Sequence, residues 1–257
     1  MKERIVVKIG SNVLTTPEGK LDITRMSALV DQVAWLRRKD YDVVIVSSGA
    51  VACGRKELPV NEALDNVAQR QLYSAMGQVK LVNLYYDLFR EYGLHIGQVL
   101  ATKNNFSTPT SLENLQACME VMIGHGVIPI VNENDTVSIQ GLMFTDNDEL
   151  SGLIARMVKA KQLILLTNVD GVYTGHPDDK GSKLIGCVAP GDDLSRYITS
   201  EKSKSGRGGM KSKYGTACNV AAQGIRVIIA NGERTDILPQ LIQTPTEVPH
   251  TEFIPSL

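Results

Sequence analysis

Six short apolar runs recur along the chain, at residues 4–9, 42–46, 94–100, 127–131, 162–166 and 225–230. Val and Ile dominate them, and several are apolar throughout, the pattern of strands covered on both faces. Longer stretches of helical period separate them. In 24–39, Met26, Leu29, Val30, Val33 and Leu36 recur at helical spacing and form one apolar stripe. A second helix is expected to start at Thr110, where Thr110 and Glu113 fit a capping box, and to end at the glycines at 124 and 126. A third is expected over 146–160, with acidic residues at its start, where the helix dipole favours them. This β-α-β alternation predicts an α/β fold with a mainly parallel central sheet and helices on both faces. The chain reads as a single domain over 1–257, with a soft division near residue 150.

Ligands of such sheets sit beyond the carboxyl ends of the strands. Three polar segments fall there: Lys8-Ile9-Gly10-Ser11, Ser47-Ser48-Gly49-Ala50 and Asn132-Glu133-Asn134-Asp135. A lone strand-end lysine ordinarily snorkels to water, but Gly10 and Ser11 add the small residues and N–H groups of a phosphate-binding turn. The serine segment reads equally well as a capped βα turn. The dense polar set at 132–135 exceeds what a purely structural turn requires. A helix start explains one or two of Asp146, Asp148 and Glu149 cheaply, while the three carboxylates with Asn147 could also position lysines and a metal-bound nucleotide; the glycine-rich segment 206–213 reads as a solvated linker. Their order along one sheet edge argues for a common site.

Several chemistries find no support. No Walker A loop occurs, and no GxGxxG follows the first strand. His95, His125, His176 and His250 lie outside these segments, and neither a Ser nucleophile elbow nor a metal-spaced His/Glu pair is present. A net charge of −1 and 5 % aromatic residues point away from nucleic-acid and membrane partners. Cys53, Cys118, Cys187 and Cys218 are widely spaced, as free thiols of a cytoplasmic protein would be. The N-terminus lacks a signal-peptide apolar region, and no apolar run is long enough to span a bilayer. Residues 136–145 are expected to form a hairpin around Gln140-Gly141, and 174–191 a loop with one short strand near Leu184. The loop over 199–209 is expected to be mobile, and the tail after residue 241 carries little period.

The missing general base is informative. A hydroxyl acceptor of a phosphoryl group calls for one, whereas a carboxylate with a pKa of ~4.3 is already ionised at neutral pH. It needs positive charge instead, to offset anion–anion repulsion and to stabilise the transferring group. Lys8 and Lys213 could supply that charge, with Asp148 holding them in register.

These motifs, with Thr-Asp-Asn-Asp-Glu-Leu-Ser at 145–151, Leu-Leu-Thr-Asn-Val-Asp-Gly-Val-Tyr at 165–173 and Gly-Arg-Gly-Gly-Met-Lys-Ser-Lys at 206–213, resemble the amino acid kinase family. The resemblance runs from residue 6 to about residue 230. It implies a three-layer α/β/α sandwich with a substrate lobe (1–150) and a nucleotide lobe (151–257). Within the family, it is closest to members that use ATP and Mg²⁺ to phosphorylate the γ-carboxylate of L-glutamate, the first step of proline synthesis. Carried over by position, Lys8, Lys213 and Asp148 are catalytic. Ser48, Gly49, Asn132, Asp135 and Asn147 contact glutamate. Gly10, Ser11, Thr167, Asn168 and the run Arg207, Gly208, Gly209, Met210, Lys211, Ser212 and Lys213 hold the nucleotide. Proline as a candidate feedback inhibitor and a homo-oligomer, dimer or tetramer, belong to the same set of expectations. Arg207 and Ser212 stand where the family usually has Thr, and Asn168 where Asp is common. The C-terminal RNA-binding-like (PUA) domain of many members is expected to be absent. Acetylglutamate, aspartate, carbamate or UMP as acceptor, or a non-catalytic relative, are the alternatives.

Overall fold

The structure is a computed structural model and describes residues 2–58, 60, 64–137, 143–198 and 209–256. Its strands are β1 (Arg4–Ile9), β2 (Asp42–Ser47), β3 (Ile96–Ala101), β4 (Ile128–Glu133), β5 (Gln162–Thr167), β6 (Val172–Tyr173), β7 (Leu184–Ile185), β8 (Cys187–Val188), β9 (Arg226–Asn231) and β10 (His250–Phe253). Its helices are α1 (Ser11–Leu14), α2 (Ile23–Arg38), α3 (Ala50–Glu57), α4 (Asn66–Arg90), α5 (Asn104–Ser107), α6 (Pro109–Gly124), α7 (Asn147–Met157), α8 (Met210–Ala221) and α9 (Ile237–Gln243). One sheet runs β3-β4-β2-β1-β5-β9-β10-β8, and β6 and β7 form a separate hairpin. Strands β3 to β9 of that order are parallel, and only the β10–β9 pair is antiparallel.

Strand parity divides the core into two layers. Ile5, Val7 and Ile9 face α2, α4 and α9, packing with Met26, Leu29, Leu81, Phe89 and Leu238. Val6, Val44 and Val46 face α6, α7 and α8, packing with Met119, Leu150, Ile154 and Val220. Side chains alternate along a strand, so Lys8 shares the face of Val6 and is delivered toward α7 and α8. The expected α/β/α architecture and all six sequence-derived strands are present.

Several details differ from the sequence reading. β2, β4 and β5 each continue into polar residues (Ser47, Asn132-Glu133 and Thr167), because the neighbouring parallel strand extends the ladder past the apolar run. Helix α6 starts earlier than Thr110: Thr108 is the N-cap, its side chain accepts from Ser111 N at 3.3 Å, and Pro109 occupies the first turn. Proline's fixed φ suits that position and sets the boundary. Residues 174–191 hold β7 and β8 rather than one short strand. Helix α4 and strand β10 had no counterpart in the sequence reading. The hairpin expected at Gln140-Gly141 and most of the loop 199–209 lie outside the described residues. Among the described residues no helix is long and apolar enough to cross a membrane.

Candidate active site

Lys8, Asp148 and Lys213 come together at the carboxyl edge of the sheet. Lys8 Nζ lies 2.6 Å from Asp148 Oδ1, and Lys213 Nζ donates to Asp148 Oδ2 at 3.1 Å. All three are buried: Asp148 is 0 % exposed, Lys8 4 % and Lys213 6 %. Each is set by its element. Lys8 follows from the parity of β1. Asp148 sits in the first turn of α7, where Asp146 caps the helix by accepting from Asp148 N at 2.9 Å and Glu149 N at 3.2 Å. Lys213 lies one turn into α8. A carboxylate at a helix N-terminus is favoured by the exposed amide dipoles, and the two ammonium groups fix its rotamer.

The electrostatics of this triad are those of a buried charge cluster. Burial pulls the Lys8 ammonium below its ordinary value; Asp148 pulls it back up, and Lys213 adds repulsion. Burial alone would raise the Asp148 carboxyl, but the charges and hydrogen bonds of Lys8 and Lys213 outweigh it and hold it below the usual carboxylate value. A folded-state pKa lowered in this way means that the Asp148 contribution to stability is present above the unfolded carboxyl value and is lost as pH falls through the folded one.

A cleft of about 1200 Å³ opens over the triad. One end is lined by Ser48, Asn132, Asp135, Asn147 and Arg70. Gly49 takes φ +105 as it leads into α3, a left-handed conformation suited to glycine. Asn147 Nδ2 donates to Ser48 Oγ at 3.0 Å, Asn132 Oδ1 at 2.8 Å and Ser47 O at 3.1 Å. Asn132 Nδ2 in turn donates to Gln78 Oε1 at 2.9 Å. Two strand mouths and two helices are thereby tied into one polar network. Arg70 Nε donates to Asp135 Oδ1 at 2.6 Å, and its Nη2 reaches both Asp135 and, at 3.2 Å, Glu133 Oε2.

The other end is lined by Thr167, Asn168, Tyr173, Tyr197, Gly209 and Met210, with Gly10 and Ser11 between the two ends beside Lys8. A Cβ on Gly10 would lie 3.2 Å from Leu166 O and 3.6 Å from Lys8 Nζ, so a bare glycine leaves room for that ammonium and for a ligand against it. Lys211 is exposed, and neither it nor Ser212 lines the cleft. Residues three apart share a helix face, which is why Met210 and Lys213 point in while the two between them do not. Arg207 and Gly208 lie outside the described residues.

Arg70, Gln78 and Tyr197 are among the residues at this site that the sequence reading missed. The available signal for the first two was a four-residue spacing of polar positions on α4: Asn66, Arg70, Ser74 and Gln78. Ser74 and Gln78 are buried, and Asn66 and Arg70 line the cleft.

A buried lysine pair and bare glycine turns at the carboxyl edge of a parallel sheet define a class, that of α/β proteins which hold an anionic ligand at the strand ends. The chain belongs to the amino acid kinase family, whose model matches residues 3–231. It is 57 % identical over 253 residues to a protein of Bacteroides thetaiotaomicron named glutamate 5-kinase, covering 98 % of this chain and 70 % of that one. A protein of the same name from Chlorobaculum tepidum is 43 % identical, with 91 % of this chain and 65 % of that one covered. A third, from Symbiobacterium thermophilum, is 42 % identical, with 93 % and 92 % covered. The chain thus spans about two thirds of the first two relatives and nearly all of the third. Among solved structures, carbamate kinase from Giardia lamblia bound to AMP-PNP matches with a TM-score of 0.71 at 14 % identity, covering 99 % of both chains. UMP kinase from Ureaplasma parvum matches with a TM-score of 0.66 at 16 % identity, also covering 99 % of both. At these identities the likeness is one of fold.

Proposed function

We propose that this chain is an ATP-dependent γ-glutamyl kinase, converting L-glutamate and ATP to L-glutamyl 5-phosphate and ADP at the entry to proline synthesis. The relatives' shared name supports the substrate, and the Lys8–Asp148–Lys213 triad is the observation that carries the chemistry. The γ-carboxylate attacks the γ-phosphorus as an anion, so no side chain has to remove a proton. The bond to ADP breaks, and its electron pair stays on the departing ADP oxygen. Lys8 and Lys213 oppose the repulsion between carboxylate and phosphates and stabilise charge on the transferring group. Asp148 holds the two ammonium groups at fixed places and offsets their mutual repulsion.

Ser48, Gly49, Asn132, Asp135 and Asn147 form the glutamate end of the cleft in this reading. Gly10, Ser11, Thr167, Asn168 and the segment from Arg207 to Lys213 form the nucleotide end. Mg²⁺ fits as an ion carried by ATP phosphates and water, its preferred partners. Asp146 lines the cleft, and its Oδ2 is buried with no hydrogen-bond partner among the described residues; Asp146 is the carboxylate suited to accept from the ion's water shell. The bound ion would neutralise phosphate charge. Proline as an inhibitor, a homo-oligomeric state and a cytoplasmic location belong to the same proposal; proline titration and sedimentation test the first two.

The test is ADP release with L-glutamate, N-acetylglutamate, L-aspartate, carbamate and UMP as alternative acceptors. Turnover with L-glutamate alone is expected, and turnover only with another acceptor would refute the assignment. Asp135→Ala is expected to raise KM for glutamate by on the order of 10²-fold with kcat within about threefold, because truncating a buried charged partner chiefly weakens binding. An unchanged KM would remove Asp135 from substrate recognition. The lowered Lys8 value also sets a pH dependence. The ammonium is lost as pH rises, so kcat/KM for ATP is expected to fall on the alkaline side before the ordinary lysine value of ~10.4 is reached. Lys8→Arg, which stays charged, should move that fall to higher pH; an unmoved limb would assign it to another group.

A further inference from the structure

We infer that Arg70 and Asp135 form a clamp for the α-carbon zwitterion of the substrate. In it the Arg70 guanidinium donates to the α-carboxylate, and Asp135 accepts from the α-ammonium. This rests on the γ-glutamyl kinase reading and extends it to how glutamate is told from acids of the same length. Arg70 is mostly buried on α4 yet lines the cleft together with Asp135, at the end that also holds Ser48 and Asn147. Glu133 completes the arrangement from behind. One of its oxygens accepts from Arg70 and the other from Phe144 N at 2.9 Å, and it does not line the cleft. Glu133 therefore anchors the guanidinium, while the Arg70–Asp135 pair faces the ligand space. The Nη1 group of Arg70 makes no hydrogen bond to the described residues, which leaves donors available on a fork whose geometry matches a carboxylate.

Charge balance gives the pair its selectivity. In the structure the Arg70 guanidinium is paired with the Asp135 carboxylate. An α-amino acid head group carries the same two charges and can enter the pair with each charge meeting its opposite. An acid lacking the ammonium leaves Asp135 facing an added anion, and an amine lacking the α-carboxylate leaves its cation beside Arg70. Buried polar groups left unmatched are what allow a site to reject an analogue strongly. Lysine would not serve equally, being a point charge without the planar fork.

The experiment compares L-glutamate with glutarate, which lacks the α-ammonium, and with 4-aminobutyrate, which lacks the α-carboxylate. It uses the unmodified chain, Arg70→Ala and Arg70→Lys, and reads kcat/KM, or Ki against glutamate where turnover is too slow. The unmodified chain is expected to favour glutamate over each analogue by about 10³-fold or more. Arg70→Ala should lower kcat/KM for glutamate by about 10²-fold and leave 4-aminobutyrate within about threefold, collapsing that preference. Arg70→Lys should fall between, and it carries the test if Arg70→Ala does not fold. Equal losses for glutamate and 4-aminobutyrate would overturn the clamp, since a residue that only braces α4 against β4 affects both alike. Glutamate turnover by the unmodified chain is the control: its absence would refute the kinase reading itself, whereas turnover with an unaltered preference in the variants would refute only the clamp.

Discussion

Replacing Lys213 or Lys8 by Ala is expected to lower kcat by about 10²–10³-fold, the usual loss when one preorganised charge-stabilising donor is removed from a reacting centre. Both ammonium groups converge on Asp148, and all three groups are buried. Removing either lysine leaves the carboxylate with half its compensation in a site where water replaces little of it. The losses should therefore not add. Once one lysine is gone, Asp148 is free to reorient toward the other, and the double variant should lose less than the product of the two single losses. KM for glutamate should move little, because Ser48, Asn132 and Asn147 remain tied into their own network and Asp135 remains paired with Arg70. Steady-state kinetics of the two single variants and the double variant checks this. Near-normal kcat in either single variant would exclude that lysine from the chemistry.

The second large effect is expected at Gly77. Helices α3 and α4 cross at Gly54 and Gly77 with backbone against backbone. A Cβ on Gly77 would lie 1.8 Å from Ala50 O, and one on Gly54 would lie 1.9 Å from Tyr73 O. Backbone cannot rotate away as a flexible side chain can, so the helices must separate. Gly77→Ala gains up to about 1 kcal/mol of helix propensity, but forced separation of a packed interface costs about 3 kcal/mol or more. A net loss of at least about 2 kcal/mol is expected in denaturant unfolding. Ala50 opens α3 directly after Ser48 and Gly49, so the shift should also raise KM for glutamate. Gly215→Ala in α8 is the control: a Cβ there meets nothing within 4 Å, so this variant should be neutral or slightly stabilised. A Gly77→Ala protein as stable as the unmodified chain would contradict the close crossing.

The same helix shows where sequence reasoning stops. Strands β1, β2, β4, β5 and β9 were legible because they are buried on both faces and are apolar almost throughout. Lys8 stood out against that background. Helix α4 carries no such signal, since its buried positions include Ser74, Gly77 and Gln78 beside Tyr85 and Phe89. These residues serve a helix crossing and a polar site as well as a core, and no single apolar stripe results. Arg70 carried only a weak signal, its place in the four-residue polar spacing of α4. Its partners lie 63 and 65 residues away in the chain, so that spacing alone does not show that it faces a cleft. The short strand β10 holds three polar residues before Phe253, and pairing with β9 on one side and β8 on the other, rather than intrinsic propensity, makes it a strand. By contrast, the expectation that Asp148 stands beside both lysines agrees with the geometry. A carboxylate in the first turn of a helix at the sheet edge has few other places to point.

The most direct measurement uses L-glutamate carrying ¹⁸O in both γ-carboxylate oxygens, with ATP, Mg²⁺ and hydroxylamine. Attack by the carboxylate puts one labelled oxygen between carbon and phosphorus. Hydroxylamine then cleaves at the acyl carbon, forming γ-glutamyl hydroxamate and releasing phosphate with that oxygen. One ¹⁸O atom per phosphate, formed in step with ADP and hydroxamate, is the expected result. ADP release with unlabelled phosphate and no hydroxamate would mean that water is the acceptor and would contradict the account.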